Sequence, residues 1–554
     1  MPRFSLACET MRPFCESVLH MKHRCTHICY NGVGLLGNRG ECMQSHIFRT
    51  PGVSTHTVSM HGRVHALENT DTLSDTYDSN SDGDEYQADG DTIVAIVTGG
   101  QQGAVSIVRV SGEEAVETIG RIFVAAGSDK KWKPESHRVY YGHVVDKGAI
   151  IDEVLVIVML GPRSYTAEDV VEIHTHGGGI CAQRVLQCCL EQGARLASPG
   201  EFTLRAYLNG RLDLSQAESV ASLVSARTAA AADCALAGLS GGLGDEITDI
   251  RNECLSLVSE IDAHIDFDDD LPPLDCDGVS ERVGLVLDQV ERALSTAKQG
   301  RLLSSGIQVV LVGQPNVGKS SLLNALSGYE KAIVTDVAGT TRDIVEADVI
   351  IGGIPVTLLD TAGLRDTKDK VEMIGVERTR AASQAADVLL HVVDASCGWT
   401  AEDEAILKGV VGDDGQSFVP PMMLLVNKVD LVEEDRVDRL IPKDVRKYFS
   451  RTVSTSASTG SGMAALHDGL LELVGAPTMS PGGVSWAVND RQAEALTRAY
   501  DSLVQAQDSI ESQLPLDFWT IDLRSALLSL GEICGAEVTE EVLDDVFSRF
   551  CIGK

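Results

Sequence analysis

The sequence predicts a multidomain protein that combines α/β and all-α architecture, and three observations support this prediction. β-branched stretches around a glycine-rich turn begin near Thr92, and long Ala- and Leu-rich stretches follow from Glu218. At Ile307 the pattern changes to a continuous apolar strand, after which strands alternate with helices to about Val474. That alternation is typical of a doubly wound sheet. At 554 residues the chain is too long for a single core.

The composition limits the classes of partner. Lys and Arg number 46 against 81 Asp and Glu, so the formal net charge is −35. This charge opposes non-specific binding to a polyanion, and any RNA contact must therefore be local. No run of about 18 uninterrupted apolar residues is present, and we expect no contact with a membrane. The 14 cysteines show no regular disulfide spacing, which indicates a reducing compartment.

The first 91 residues differ in composition from the rest. Residues 1–66 carry a weak basic excess, which is typical of an organelle transit peptide. Cys25, His27 and Cys29 lie close together there, but the second half of a zinc site is missing. Residues 67–91 are acidic and contain no basic residue, so we predict a disordered linker.

Residues 92–205 should form a small α/β domain. A Gly177–Gly179 turn follows its strands and precedes a helix-length run at Ile180–Gln192. The β-rich segments are Ile93–Val97, Val105–Val110, Arg138–Val145, Glu153–Met159 and Ala167–Thr175.

Residues 206–302 and 477–554 should be two parts of one helical domain. The first part is interrupted by the acidic, proline-containing segment Asp266–Asp277, and the second resumes its helical pattern at Asp490. We expect the two parts to pack together, which would make residues 303–476 an inserted domain. The last helix should have one apolar face, made by Val542, Leu543, Val546, Phe547 and Phe550.

The strongest functional pattern is a phosphate loop, Gly313-Gln-Pro-Asn-Val-Gly-Lys-Ser320, between a buried strand and a helix start. Lys319 should reach the β- and γ-phosphates, and Ser320 should hold Mg²⁺. Backbone N–H groups at the helix N-terminus should close on the phosphate oxygens. The residues predicted to contact the nucleotide here are Asn316, Val317, Gly318, Lys319, Ser320 and Ser321.

Three further motifs follow in the order that a GTPase needs. Thr341 of the segment Thr335-Asp336-Val337-Ala338-Gly339-Thr340-Thr341 can offer a hydroxyl to Mg²⁺, and Asp360-Thr361-Ala362-Gly363 offers a carboxylate and a glycine N–H for the γ-phosphate. Asp430 of Asn427-Lys428-Val-Asp430 can accept both guanine N1–H and the exocyclic amine, a donor pair that adenine lacks. Ser456-Ala457-Ser458 should complete the base pocket. The sequence therefore predicts a Ras-like G domain that binds GTP.

The catalytic machinery is unusual for such a domain. Leu364 follows Gly363, where familiar small GTPases place a water-orienting glutamine, and an aliphatic side chain cannot orient a water. No arginine finger can be assigned from the sequence. Another cation could therefore stabilise the transition-state charge, and its candidate ligands are Asn316, Thr335, Val337 and Thr340.

At this point the chain resembles the MnmE (TrmE) family of tRNA-modification GTPases over essentially Asp91–Lys554. The C-terminal segment Phe550-Cys-Ile-Gly-Lys554 is similar to that family's terminal Cys-x-Gly-Lys signature. Further similar segments are Asp91–Ala95, Val108–Gly112, Glu168–Glu172 and Pro199–Leu214.

The resemblance implies a homodimer formed through the N-terminal domain, which binds a 5-formyl-tetrahydrofolate one-carbon donor. It implies K⁺ at Asn316, Thr335, Val337 and Thr340 when two G domains pair. It also implies that Glu372 positions the attacking water, although from the residues alone this is an ordinary helix-surface glutamate. The family acts with the flavoprotein MnmG on C5 of the wobble uridine of tRNA.

For folate, the resemblance implies Arg109, Glu172, Arg211 and Lys554. A carboxylate can accept hydrogen bonds from a pterin ring, and cations can bind the glutamyl tail. Without the family, Arg109 and Arg211 are expected to form ordinary surface ion pairs. The family has Lys at the position of Arg211. Cys551 is either a nucleophile toward the uridine or a small buried residue.

Two segments depart from the family pattern. They are Gly99-Gly-Gln-Gln-Gly-Ala104, near the N-terminal strand, and Asn489-Asp-Arg-Gln492, after the G domain. The first of these and the terminal helices are most similar to cyanobacterial and plastid members. We therefore expect a chloroplast address rather than the mitochondrial matrix.

Two alternatives compete with this interpretation. A ribosome-assembly GTPase of the Era or Der type would use the same phosphate loop but would need a basic RNA-binding appendage. An aminomethyltransferase-like folate enzyme with a silent GTPase would explain the N-terminal domain but not the five nucleotide motifs.

Overall fold

The computed structural model describes residues 91–98, 103–127, 132–267, 272–329, 345–360, 386–411, 420–433, 440–476 and 486–554. The predicted transit peptide and nearly all of the predicted linker lie outside these ranges. So do the switch segment 335–341, residues 361–363 and Glu372. Among the residues that are described, no helix combines the length and apolar character that crossing a membrane requires.

The N-terminal domain is built on one mixed sheet in the order β3-β4-β5-β6-β2-β1-β7. Its strands are β1 (Ile93–Ile96), β2 (Val105–Ser111), β3 (Phe123–Ala125), β4 (Arg138–Asp146), β5 (Ala149–Met159), β6 (Val170–His176) and β7 (Arg195–Leu196). The predicted strands are confirmed to within a few residues. Neighbours are antiparallel except β1 and β7, which are parallel.

Helices α1 (Ala115–Ile122) and α2 (Ile180–Glu191) cover one face of this sheet. Buried and exposed side chains alternate along β5, and this alternation shows which face the helices cover. Val154, Val156 and Val158 are buried beneath them, whereas Leu155 on the other face is 42% exposed. Cys188 and Cys189 of α2 are buried in the same cluster. On the opposite face, which we call the open face, no element among the described residues covers β3, β4 and β5, and their apolar side chains Val124, Val139, Tyr141 and Leu155 are exposed.

The helical domain takes its core from both sides of the G-domain sequence. Ile250 and Val283 share one buried cluster with Leu503 and Leu530. Its helices before the G domain are α3 (Glu201–Leu208), α4 (Leu214–Ser225), α5 (Ala229–Leu239), α6 (Gly242–Asp266), α7 (Cys276–Ser295) and α8 (Ala297–Ser304). The expected boundaries at residues 205 and 302 therefore fall inside α3 and α8.

The sheet of the nucleotide-binding domain has the order β13-β12-β11-β8-β10-β9, in which only the pairing of β9 with β10 is antiparallel. Its strands are β8 (Ile307–Gly313), β9 (Val345–Ile351), β10 (Ile354–Asp360), β11 (Val388–Asp394), β12 (Met422–Asn427) and β13 (Arg451–Ser454). Its helices are α9 (Lys319–Tyr329), α10 (Ala401–Val411), α11 (Lys443–Arg446) and α12 (Met463–Val474). Buried clusters lie on both faces, which confirms the doubly wound prediction.

Helices resume after this domain as α13 (Asp490–Glu511), α14 (Leu516–Cys534) and α15 (Glu540–Ser548). The start of α13 is confirmed, and Asn489 and Gln492 form a capping box there. The apolar face of α15 is also confirmed, since it packs against α3 and α4.

The C-terminal tail after α15 returns to the N-terminal domain. Ile552 forms a β-bridge with Pro199, and the backbone N–H of Phe202 donates to the Lys554 carbonyl at 3.2 Å. Gly553 has a φ of +98°, and a Cβ at that position would lie 3.0 Å from Val97. The tail therefore fits closely against the edge of the first sheet.

Candidate functional site

The phosphate loop leaves β8 at its carboxyl end and enters α9. Lys319 is buried, and its Nζ donates to the carbonyls of Gly313 at 3.0 Å and Gln314 at 2.8 Å. The ammonium group thus spans the loop at the position where phosphate oxygens bind. Asn316 is exposed and has a φ of +66°, which is uncommon for a residue with a side chain.

Ser320 and Asp360 meet at the start of the same helix. Ser320 Oγ donates to Asp360 Oδ2 at 3.0 Å, and Asp360 ends the neighbouring strand β10 with only 2% exposure. Parallel strands bring their carboxyl ends to one edge, which is why residues 40 positions apart in sequence lie together. A hydroxyl backed by a carboxylate is the arrangement that binds Mg²⁺ in P-loop proteins.

The base motif is joined directly to the phosphate loop. Asn427 Nδ2 donates to the Val317 carbonyl at 2.8 Å, and Asn427 Oδ1 accepts from the Ala457 N–H at 3.2 Å. A Cβ on Gly318, whose φ is +98°, would lie 2.3 Å from Asn427 Nδ2. Only glycine fits this approach without displacing the asparagine.

Lys428 makes a second connection. Its Nζ lies 2.7 Å from both the Asn316 carbonyl and Asp394 Oδ2. Burial raises the pKa of Asp394, but hydrogen bonds from Lys428 and Ser396 outweigh it and hold that pKa below its usual value. An ionised Asp394 therefore keeps the lysine stem stretched across the site.

Asp430 presents its carboxylate at the edge of the pocket. The Ser456 hydroxyl donates to Oδ1 at 2.6 Å and the Ser458 hydroxyl to Oδ2 at 3.4 Å. The bond from Ser456 lowers the pKa of Asp430, which favours the charged form that guanine recognition needs. The motif Ser456-Ala457-Ser458 thus orients the carboxylate through two side-chain hydroxyls.

Sequence reasoning missed Asp394 and Asp403 as parts of this site. Asp394 is the last residue of β11, and the carboxyl ends of the other parallel strands carry nucleotide motifs. Its position at the end of a predicted strand could therefore have identified it as a site residue. Asp403 accepts from Gln314 Nε2 at 2.8 Å. The capping pattern Thr400-x-x-Asp403 was visible in the sequence, but its contact with the phosphate loop was not.

A second group of predicted residues meets on the open face of the first sheet. Arg109 on β2 and Glu172 on β6 are opposite each other in register, and Arg109 Nε and Nη2 each lie 2.8 Å from Glu172 Oε1. Arg109 Nη1 also donates to the Gly553 carbonyl at 3.4 Å. This pair is only 14% and 16% exposed, so Arg109 differs from the surface ion pair expected without the family.

The charges of this group perturb one another. The His174 ring and the Arg109 guanidinium hold the pKa of Glu172 below its usual value despite burial. Burial and then the Arg109 charge lower the pKa of Lys554. A partly desolvated cation beside an ion pair is a typical environment for binding a polar ligand.

Arg211 lies at the rim of the same group. Its guanidinium is 5.0 Å from the centre of the Tyr165 ring, and Nη1 donates to the Tyr165 carbonyl at 2.8 Å. Arg109 lies 5.1 Å from the same ring centre. Tyr165, which sequence reasoning did not single out, thus connects the two predicted arginines by cation–π contacts.

Cys551 is exposed, so the alternative of a small buried residue is wrong for it. By contrast, burial raises the pKa of Cys189 and Cys254 to about 12, and these thiols are inert at neutral pH. Within the described ranges, no cluster of three or more His, Cys, Asp or Glu side chains could hold a metal ion.

The doubly wound sheet, the phosphate loop and the guanine motif define a P-loop protein of the guanine-nucleotide class. The protein-family model of the MnmE helical domain matches residues 214–551. The family model of the GTP-binding protein TrmE N-terminus matches residues 92–211.

Curated relatives match along nearly their whole length. The chain is 52% identical over 470 residues to the tRNA modification GTPase MnmE of Cyanothece sp., covering 84% of this chain and 99% of that protein. It is 50% identical to the proteins of the same name from Synechococcus elongatus, over 470 residues, and Synechocystis sp., over 468, with the same coverage. This chain therefore belongs to the MnmE family of tRNA modification GTPases. It hydrolyses GTP in tRNA modification and uses GTP and Mg²⁺.

Among solved structures, a variant of Aquifex aeolicus Era bound to GDP·AlF₄⁻ is 28% identical, covers 36% of this chain and 67% of that chain, and has a TM-score of 0.25. A ribosome-assembly GTPase of the Era type was one of the two alternatives that the sequence left open. The curated relatives, which span the N-terminal and helical domains as well, decide in favour of tRNA modification.

Proposed function

We propose that this GTPase works as a homodimer with an MnmG-like flavoprotein and modifies C5 of the wobble uridine of tRNA with a folate one-carbon donor. Potassium-dependent pairing of its G domains, inserted in the helical domain, accompanies each hydrolysis cycle. The observation that carries this proposal is that Arg109 contacts both Glu172 and the C-terminal tail, close to Arg211.

The residues around Arg109 suit a folate such as 5-formyl-tetrahydrofolate. Glu172 is ionised and can accept N–H groups of a pterin ring, while Lys554 and Arg211 can bind the carboxylates of the glutamyl tail. His174 Nε2 is buried and lies 3.9 Å from Glu172 Oε2, and no atom in the described part of the chain lies within hydrogen-bond distance of it, so a bound ligand can supply a closer partner. The bound folate would supply the one-carbon unit, and Cys551 on the adjoining tail is the proposed nucleophile toward uridine.

In the G domain, Ser320 with Thr341 would hold Mg²⁺, and Asn316 with Thr335, Val337 and Thr340 would hold K⁺. The short contact of Ser320 with buried Asp360 supports the first assignment. The exposure of Asn316 supports the second, because a second G domain can approach it. Potassium would supply the positive charge of an arginine finger, and Glu372 would position the water.

The open face of the N-terminal sheet supports the homodimer. It presents Val124, Val139, Tyr141 and Leu155 at 42–59% exposure, next to the proposed folate site. Exposed apolar residues grouped on one sheet face indicate an interaction surface. We expect Tyr141→Asp to halve the mass measured by light scattering, while Leu236→Asp, at an exposed position on α5, leaves it unchanged.

The first experiment compares steady-state GTP hydrolysis by the full chain in matched potassium and sodium chloride. We expect strong stimulation by potassium that Asn316→Ala and Glu372→Ala both lose. Glu402→Ala, an exposed glutamate on α10, is the matched control and should retain it. Equal rates in both salts would refute the potassium mechanism and leave the GTPase assignment intact.

The second experiment titrates 5-formyl-tetrahydrofolate into the full chain by calorimetry. Arg109→Ala should weaken binding at least about tenfold, because it leaves Glu172 without its cation. Arg121→Ala, an exposed arginine on α1, should bind like the wild type. Equal affinity in Arg109→Ala would remove folate from the proposal.

The proposed subcellular location is the chloroplast, and the alternative is the mitochondrial matrix. The basic excess of residues 1–66 and the cyanobacterial relatives support it. Fusing residues 1–90 to a fluorescent protein tests this address, since mitochondrial fluorescence would overturn it.

A further inference from the structure

A buried carboxylate and a buried imidazole lie beneath the phosphate loop, outside the nucleotide motifs. Asp403 in the first turn of α10 and His391 within β11 are each 1% exposed. His391 Nε2 and Asp403 Oδ1 lie 3.8 Å apart, and neither atom has a hydrogen-bond partner in the part of the chain that the structure describes. Such atoms are rare in protein interiors and require an explanation.

The other oxygen of this carboxylate is heavily used. Asp403 Oδ2 accepts from Gln314 Nε2 at 2.8 Å and from the backbone N–H and hydroxyl of Thr400 at 3.0 Å each. Gln314 is the second residue of the phosphate loop, and its carbonyl accepts from Lys319. One side chain therefore connects the buried carboxylate to the backbone that holds the phosphate-binding lysine.

The carboxylate is charged where it lies. Burial raises the pKa of Asp403, but the His391 ring and the Thr400 donors outweigh burial and lower it. His391 is itself fixed, because it stacks on Trp399 with ring centres 5.2 Å apart and meets Phe449 edge-on at 5.8 Å. The Asp403 carboxylate is ionised and its neighbour His391 is held in place, so the carboxylate can accept a strong, well-oriented hydrogen bond from the Gln314 amide.

The phosphate loop benefits from such an anchor. Pro315 and Asn316 are exposed, and ordering a free backbone costs about 1–2 kcal/mol per residue. A loop that is fixed before the nucleotide arrives avoids part of that cost. The anchor acts on the loop that holds both GDP and GTP, so its contribution should be equal for the two.

We propose that Asp403, supported by His391 and Thr400, is a positioning residue for nucleotide binding, which fixes the phosphate loop through the side chain of Gln314. It touches neither the nucleotide nor the water. It therefore sets affinity and KM rather than the rate of the chemical step.

The test uses Gln314→Leu in the full chain, which removes the amide donor at similar size. We expect Kd for GDP and for GTP, and KM for GTP, each to rise about tenfold, while kcat changes less than about twofold. Gln314→Arg keeps a donor toward Asp403 and should restore wild-type affinity. Since Gln314 lies on a half-buried loop, its replacement leaves the domain core intact.

A double-mutant cycle identifies the partner. Asp403→Ala combined with Gln314→Leu should weaken binding by less than the sum of the two single losses, because both changes break the contact between Gln314 and Asp403. The bond from Gln314 Nε2 to Thr400 Oγ1 is lost only with Gln314→Leu. Gln216→Ala also breaks a capping box, at α4 in the helical domain, and should bind nucleotide normally. Unchanged affinity in Gln314→Leu, fully additive losses, or a fall in kcat at constant KM would each overturn the proposal.

Discussion

We expect the specificity for guanine to depend on a few atoms of one exposed residue, Asp430. The Asp430 carboxylate is held by the hydroxyls of Ser456 and Ser458, so both oxygens are aimed before the base binds. The bond from Ser456 also lowers the pKa of this carboxylate, which favours its charged form. A site that is built to accept two donors rejects bases that lack them.

Replacing Asp430 by Asn should therefore change the preferred base. An amide offers one acceptor and one donor, which opposes the guanine amine but suits the carbonyl that xanthine carries at the same position. We expect Asp430→Asn to lose at least about 100-fold in GTP affinity and to bind xanthosine triphosphate better than GTP. Competition against a fluorescent guanine nucleotide measures both, and retained GTP preference would contradict the account of the base pocket.

His176 provides a pH-dependent contribution to stability. Its Nδ1 lies 2.7 Å from buried Asp152 Oδ1, and this bond raises its pKa above 6.5. A group whose pKa is raised by folding stabilises the fold fully below its unfolded pKa and loses that effect as the pH rises through the folded pKa. We expect His176→Gln to lower stability by about 0.5 kcal/mol at pH 5.5 and by less at pH 9. Unfolding curves of the wild type and His176→Gln at the two pH values measure the loss of stability at each. A larger loss at pH 9 than at pH 5.5 would contradict the predicted pH dependence.

At the scale of elements, the phosphate loop and the base motif form one connected unit. The closest point is between Gly318 and Asn427, where a methyl group would displace the amide that bonds to Val317. We expect Gly318→Ala to abolish detectable nucleotide binding and to lower the melting temperature of the G domain. Differential scanning calorimetry and nucleotide titration check both effects. Normal binding by Gly318→Ala would show that the two motifs can separate. Gly328→Ala, in open space on α9, is the matched control.

The sequence predicted most elements because their patterns are local. The strand before Gly313, the helix from Asp490 and the apolar face of α15 each follow from periodicity and end signals. Contacts between elements were less accessible. Nothing in the spacing of Gln314 and Asp403, which are 89 residues apart, predicts that they meet, because that contact depends on strand order. Tyr165 was missed for the same reason.

At the scale of the molecule, an ion pair joins the helices that precede and follow the G domain. Arg491 Nε and Nη2 donate to the Glu218 carboxylate of α4 at 2.6 and 2.8 Å, and Gln492 Nε2 donates to it at 2.6 Å. Glu218 is 10% exposed and Arg491 is 23% exposed. Removing one partner of such a pair leaves the other buried and unpaired.

We therefore expect Glu218→Ala to destabilise the joint between α4 and α13 by about 3 kcal/mol, because it leaves the Arg491 charge uncompensated. Hydrogen exchange over residues 214–225 and 490–511 should become roughly 100-fold faster. Combining Glu218→Met with Arg491→Met should recover most of the loss, since apolar groups of similar volume replace both charges. Equal exchange in Glu218→Ala and wild type would show that the pair contributes nothing.

The C-terminal tail packs against the first sheet, and this contact determines when the site around Arg109 and Glu172 can be completed. Arg109 and Gly553, which it contacts, are 444 residues apart. At a translation rate of about 5–20 residues per second, roughly 20–90 s separate the synthesis of these two residues. Until the tail is in place, the ion pair of Arg109 and Glu172 is open to solvent on the side that the tail later covers. The complete site therefore forms only after Gly553 has been joined to the chain and has reached this sheet.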